Sequence, residues 1–481
     1  MSLSKTTIAL FTLIILEGYV VLSSELLAIR LSLPFVGSGT DTVSIIIAAV
    51  LMPLAFGYQA GGRFKPGFHN TLLNGKIFIS VREKLITNIL IALGFLLFGL
   101  SYSFLDAFFT TLLQMGLTHR VLLTTLYAAL FIVTPVYLLG QTIPLTCNFF
   151  TREKLSKITG RILFFSTLGS FLGAVFSTLV LMSYFGINIT AAVNFVILGL
   201  LITLLSKEKF STRMALTWVL VAAGLIGNSG QVMRDLRIVK TNQYNTIAVK
   251  ENNGQRNLLI NNNFSSMYTD KGEKHEYIEF IERIAITPIP AEDGPKDVLV
   301  LGAGGFTLGA DDAKNLYDFV DIDEDLKDIA EQYILKKPVG ENKTFHPMPA
   351  RAFLTQTQKK YDVIVLDIYS GALTLPEHLA TKEFFESVKN RLKPDGKMIA
   401  NTVLAPNFNS AFSRHFDNTI RSVFPHVSRH AIHEQYRLWE DSESLIANVI
   451  YIYKNTPDAD TKTIYTDIKN QSYRDRPAKN Y

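Results

Sequence analysis

Residues 298–323 read VLVLGAGGFTLGADDAKNLYDFVDID, and this stretch decides the fold of the C-terminal half. Val298–Leu301 is a short branched-apolar run after Pro295, the pattern of a buried strand. Gly302-Ala303-Gly304-Gly305 then turns toward an expected helix. Glycines let the backbone approach a ligand, and a helix N-terminus favours a negative group. Tyr317–Val320 reads as a second strand ending at Asp321, nineteen residues after Gly302. An acid there accepts hydrogen bonds from ribose hydroxyls. Strand, glycines, helix, strand and acid point to a nucleoside site with Gly302, Gly304 and Asp321 as contacts. The plainer alternative is a tight turn and an ordinary strand-end carboxylate.

Downstream, Tyr361–Leu366 reads as another strand with Asp367 at its carboxyl end. Open α/β sheets bind ligands at that edge, so Asp367 is a candidate base or cation clamp, with a capping Asp as the alternative. Pro376-Glu377-His378 follows, and His378 is a candidate acid–base partner. A helix over Thr381–Leu392, a turn at Lys393–Gly396 and a strand over Lys397–Asn401 complete a Rossmann-like, methyltransferase-type order within residues 291–454. Upstream, residues 230–290 hold Ile247-Ala248-Val249, Asn253-Gly254 and Leu258-Leu259-Ile260, a β-hairpin signature, then an amphipathic helix over 276–286. Residues 455–481 form a polar tail.

The first 229 residues are of another kind. Overall hydrophobic content is 48% and mean hydropathy +0.21, above the level of an ordinary soluble enzyme. Apolar runs at about 7–30, 41–61, 85–105, 121–147, 162–185, 189–206 and 213–229 are long enough to cross a bilayer as helices. Pro53, Pro135 and Pro144 are expected kinks, and Gly57-x-x-x-Gly61 and Gly169-x-x-x-Gly173 are candidate close-packing faces. Up to Asn228 there are 15 Lys+Arg and 7 Asp+Glu, a net of +8; the rest holds 32 and 35, a net of −3. The basic excess belongs to the connections between spans, and the acidic remainder argues against nucleic-acid binding. Seven spans with basic loops in the cytoplasm place the C-terminal domain on the opposite side, whereas an eighth span at 104–116 returns it to the cytoplasm. The first run contains Glu17 and Glu25 and reads as a retained helix rather than a signal peptide. Glu17 and Glu25 share roughly one helix face, with Arg30 five residues beyond Glu25. They read either as a structural polar cluster or as a site for a cation or proton. A lone Cys147 excludes an intramolecular disulfide and a thiolate metal cluster, and no metal is expected.

Taken together, Asn242-Gln243-Tyr244, NLLINNNFSS, Lys274-His275-Glu276-Tyr277, VLVLGAGG, FVDID, Ala350-Arg351-Ala352-Phe353-Leu354 and YDVIVLDIYSG resemble spermidine synthase, the polyamine aminopropyltransferase family. SSELLAIRL, LGQTIPL, GRILFFSTLGSFLGA and the Leu375–Thr381 spacing resemble its multi-pass, membrane-fused branch. The resemblance implies attack of an amine on the aminopropyl carbon of decarboxylated S-adenosylmethionine, with no metal and no tightly bound cofactor. It implies that Gln243 and His275 contact the sulfonium nucleoside, Asp321 holds the ribose, Tyr244 lines the amine pocket and Asp367 takes the proton. The sequence departs from the family where Gly305-Phe306 replaces Asp-Gly, Pro349 replaces the Asp before Ala-Arg, and Ser370 replaces a second acid.

The sequence therefore predicts a multi-span helical membrane bundle, a β-hairpin region and a Rossmann-like domain, sited in the cell membrane. Its expected partners are the lipid bilayer and a small-molecule amine or membrane-associated substrate, and self-association is compatible with it. An aminopropyltransferase with altered donor or acceptor comes first. Different chemistry on the same scaffold, with Asp367 and His378 as the acid–base pair, and a non-catalytic sensor or transporter built on Glu17 and Glu25 are the alternatives.

Overall fold

A computed structural model describes residues 5–37, 39–70, 76–149, 155–208, 210–287, 294–369, 375–432 and 447–455. The polar tail from 456 and Ser370 lie outside them. The chain divides into two compact units: residues up to Glu273 with 332–336, and most of the remainder. The hairpin region thus clusters with the helices.

In the first unit the helices are α1 (Lys5–Val36), α2 (Thr40–Arg63), α3 (Val81–Gly99), α4 (Tyr102–Gln114), α5 (Arg120–Phe131), α6 (Val133–Gly140), α7 (Thr142–Cys147), α8 (Leu155–Phe176, continued as a π-helix to Phe185), α9 (Ile187–Leu205), α10 (Thr212–Gly227) and the short α11 (Gly230–Asp235). Five helices among the described residues are long and apolar enough to cross a membrane, or seven if each of two bent pairs counts as one. The expected span at 85–105 bends by 60° between α3 and α4, and the 121–147 run bends by 42° between α5 and α6. Pro135 stands just past that second bend, where its missing N–H removes a helix bond. Pro53, an expected kink, sits inside a continuous α2. Both glycine pairs serve close packing. A β-carbon at Gly57 would lie 2.4 Å from the Tyr137 carbonyl oxygen, and one at Gly169 would lie 2.1 Å from that of Ile15. A short hairpin of β1 (Gly67–Asn70) and β2 (Lys76–Ile79) separates α2 from α3.

The same unit holds an antiparallel meander of β3 (Ile238–Thr241), β4 (Thr246–Asn252), β5 (Gln255–Ile260) and β6 (Asn263–Thr269). The expected hairpin turn is present, with Asn253 at φ 50° and Gly254 at φ 78°, the conformation that favours Asn-Gly.

The second unit is built on a seven-stranded sheet of β7 (Asp297–Leu301), β8 (Leu316–Asp321), β9 (Lys343–Pro347), β10 (Tyr361–Leu366), β11 (Leu392–Leu404), β12 (Ser428–Ile432) and β13 (Ala447–Lys454), in the order β12-β13-β11-β10-β7-β8-β9. The five strands from β11 to β9 are parallel, while β13 runs antiparallel to both its neighbours. Leu299, Leu301, Ile364, Leu366 and Met398 bury side chains on the sheet. Chain order reverses direction between β7 and β10, which makes their carboxyl ends the switch point where such sheets bind ligands. The expected Lys393–Gly396 turn is instead a wide bulge inside β11, between the pairs Tyr361–Leu392 and Val363–Lys397. The Lys393 ammonium pins it by pairing with Asp297 at 2.9 Å and Asp362 at 2.8 Å.

Candidate active site

The glycine turn closes β7 onto both of its neighbours. The Gly302 N–H donates to the Val320 carbonyl at 2.9 Å, and the Asp367 N–H donates to the Leu301 carbonyl at 2.8 Å. Gly302 has φ 96°, and a β-carbon on it would stand 2.1 Å from the Asp367 carbonyl oxygen, so only glycine fits. Asp321 binds the turn directly: one carboxylate oxygen accepts the Ala303 N–H at 3.0 Å and the other the Asp323 N–H at 3.1 Å. Burial raises its pKa to about 6 against the pull of those N–H donors. The turn thus gathers Gly302, Gly304, Asp321 and Asp367 at one edge of the sheet.

No helix follows the turn. Residues 307–315 form turns, contrary to the expected strand–glycine–helix order. Two local features account for this. Gly309 has φ 65°, and its N–H donates to a Glu282 carboxylate oxygen at 2.7 Å. Asp312 accepts from the backbone of Lys314 and Asn315, the Asn315 amide and the Tyr317 hydroxyl. Such side-chain bonds compete with helical ones. The helix dipole that would attract an anion is therefore missing. The other departure at the turn is Phe306, which has φ 54° and is buried against Phe319 and Phe345. Its left-handed backbone suits the glycine that the family resemblance puts there.

Asp367 is the centre of a polar chain. The Tyr277 hydroxyl donates to one carboxylate oxygen at 3.1 Å, and the Asn401 amide donates to the other at 2.8 Å. His275 stacks on the Tyr277 ring at 5.9 Å. Tyr277 lies in α12 (Glu276–Ile281), which continues as a π-type turn to Ile286 and fulfils the expected amphipathic helix. Desolvation raises the Asp367 pKa to about 6, opposed by the two donors, and lowers that of His275. Tyr277 and Asn401 carry no role in the sequence reading. Asn401 was visible as an amide at the end of the apolar run MIAN, and Tyr277 as the last residue of the quoted Lys-His-Glu-Tyr.

The other expected site residues have surroundings of their own. His378 is exposed on a 3-10 turn, its carbonyl held by the Arg351 guanidinium at 2.8 Å, and no hydrogen bond among the described residues joins its ring to Asp367. Pro349 precedes α14 (Ala350–Gln356; α13 is Leu326–Ile329) and brings no carboxylate. Gln243 and Tyr244 belong to the first unit, on the β3–β4 loop, where the Asn242 side-chain oxygen accepts the Tyr244 and Asn245 N–H groups at 2.9 and 2.8 Å. In the helices Glu17 is buried, Glu25 is half-buried, and Arg30 is buried and donates to the Asn242 carbonyl at 2.9 Å. Gln141 accepts from the Asn88 amide at 3.0 Å. Among the described residues no group of three or more His, Cys, Asp or Glu is placed to hold a metal.

Residues 276–433 match the family model described as the spermine/spermidine synthase domain. This part of the chain is similar to spermidine synthases. A polyamine aminopropyltransferase of Vibrio vulnificus is 32% identical over 165 residues, 33% of this chain and 52% of that protein. One from Oceanobacillus iheyensis is 27% identical over 273 residues, 51% of this chain and 52% of that protein. The matches span about half the length of these relatives. Among solved structures, a probable spermidine synthase from Corynebacterium glutamicum aligns over 46% of this chain and 80% of its own, at 22% identity and a TM-score of 0.38.

Proposed function

We propose that the chain is a membrane-embedded aminopropyltransferase that moves the aminopropyl group of decarboxylated S-adenosylmethionine, or a close relative of it, onto an amine. The observation that carries this is the Tyr277–Asp367–Asn401 arrangement at the switch point of a spermidine synthase-like domain. In the reaction the amine lone pair forms a new C–N bond at the aminopropyl carbon. The C–S bond breaks with its electrons left on sulfur, and methylthioadenosine departs. Asp367 takes the proton of the attacking nitrogen. A carboxyl pKa of about 6 leaves it largely ionised at neutral pH yet more basic than a free carboxylate. A glycine turn without a helix dipole suits a cationic sulfonium donor better than a phosphate. The apolar helices support a cell-membrane location.

Gly305 and Pro349 stand where the family resemblance puts donor-reading carboxylates, and each charged hydrogen bond lost is worth about 1.5–3 kcal/mol. This favours an altered donor, or different chemistry on the same scaffold, as the second reading. The test is methylthioadenosine release by the purified full chain from decarboxylated S-adenosylmethionine across a panel of amines, with Asp367→Asn as control. No release, together with no adenosyl binding, overturns the first reading. Adenosyl binding without release moves the case to the second.

A further inference from the structure

Hydrogen bonds inside the helical unit sort each helix by its two ends. One end carries the β3–β6 meander. There Arg30 of α1 donates to the Asn242 carbonyl at 2.9 Å, and the Ile187 N–H opening α9 donates to the Thr241 hydroxyl at 3.0 Å. The Tyr102 N–H, just past α3, donates to the Asn228 side chain, just past α10, at 3.2 Å. Arg120, opening α5, pairs at 2.9 Å with Asp41 in the first turn of α2, where the chain has turned back after Arg30. At the opposite end Glu83, opening α3, pairs with Arg213, opening α10. So α1, α3, α8 and α10 run toward the meander, while α2, α5–α7 and α9 run away from it. Helix α4 both starts and is followed at the meander end, so it does not cross. Among the described residues this makes seven helical passes between the two ends.

Charge divides along the same line. Of the 12 described Lys and Arg up to Asn228, only Arg30 and Arg120 fall at the meander end. The other ten lie at the opposite end: at the start of α1, around the β1–β2 hairpin, at the start of α8, and in the α9–α10 connection. Arg234, Arg237 and Lys240 bring the meander end only to five. Basic short connections stay in the cytoplasm. No helix after Asp235 among the described residues is long and apolar enough to return the chain.

We infer that residues 236–481 emerge on the non-cytoplasmic face, and that the domain draws both its amine and its sulfonium donor from that side. This rests on the membrane and transferase readings above. A permanent sulfonium cation does not cross hydrocarbon unaided, so a transport step must deliver a donor made in the cytoplasm. The test uses the full chain in a Cys147→Ser background, with single cysteines at exposed positions of opposite ends, Lys271→Cys and Phe210→Cys. A membrane-impermeant maleimide is applied to spheroplasts of a bacterial host. Labelling of Lys271→Cys in intact spheroplasts, and of Phe210→Cys only after lysis, is expected. The inverse pattern overturns the orientation and leaves the membrane reading standing. Equal behaviour of the two positions, or recovery of the chain in the soluble fraction, overturns both. Methylthioadenosine release by the detergent-solubilised chain is measured separately, so a failure of the chemistry is not mistaken for a failure of orientation.

Discussion

Removing the Tyr277 hydroxyl should make Asp367 a stronger base and shift the pH dependence of the reaction upward. The hydroxyl donates to the carboxylate at 3.1 Å and so stabilises its ionised form. Desolvation already raises the pKa to about 6, and the phenol is one of two groups holding it down. A hydrogen bond to a charged group is worth about 1.5–3 kcal/mol, which is roughly one to two pKa units. Tyr277→Phe keeps the ring against His275 and deletes only the donor. The acid limb of kcat/KM should therefore move from about pH 6 to about pH 7–8. The assay is methylthioadenosine release at low amine across the pH range. A carboxyl-stretch infrared titration, identified by difference from Asp367→Asn, reads the same shift without turnover. A limb that stays put, or moves down, refutes the role given to this hydrogen bond.

Three further outcomes are expected. Asp367→Asn should abolish turnover yet stabilise the fold near neutral pH: a folded pKa of about 6 against an ordinary 3.8 makes the ionised carboxylate costly. That cost, up to about 3 kcal/mol, is fully present above pH 6 and fades toward pH 4, so denaturation midpoints of the two proteins should converge in acid. Gly302→Ala should lose roughly 2–5 kcal/mol, from left-handed strain and the clash with the Asp367 carbonyl, read as a lower denaturation midpoint and loss of adenosyl binding. Phe306→Ala should cost about 3–5 kcal/mol by opening a cavity between Phe319 and Phe345, despite lying in a turn expected to contact ligand.

Much of this was legible because the signals were local and periodic. Asn253-Gly254 marked its hairpin, and the branched-apolar runs at 298–301 and 361–366 read as the strands they form. The glycine pairs in α2 and α8 announced backbone contact between helices. What escaped the reading depends on contacts distant in sequence or on competing local bonds. Nothing near Lys393 says that its ammonium reaches Asp297 and Asp362 and turns an expected turn into a bulge. Asp312 and Gly309 remove the helix after the glycines, although the strand spacing still looks right. Tyr277 and Asn401 are 124 residues apart and meet only because α12 and β11 both reach the tip of β10.

Of the three departures from the family pattern, Ser370 lies three residues after Asp367 and outside the described residues, and the other two fall together. By the resemblance, the acid absent at Gly305 would hold the ammonium of the aminopropyl group, and the acid absent at Pro349 would hold the adenine amine. Both are contacts to the donor. Asp367, to which the proposed reaction gives the attacking amine, remains and is held by two hydrogen bonds. Phe306 shows that the turn has settled into a form serving the core. A site that reads the aminopropyl ammonium through a carboxylate should prefer decarboxylated S-adenosylmethionine over methylthioadenosine by about tenfold to a hundredfold, the equivalent of about 1.5–3 kcal/mol. Here the two should bind the full chain within about threefold of each other, and Gly305→Asp should restore a preference. Calorimetric titration with both compounds decides it: a native preference above tenfold would mean that another group reads the ammonium, and the donor would then be the ordinary one.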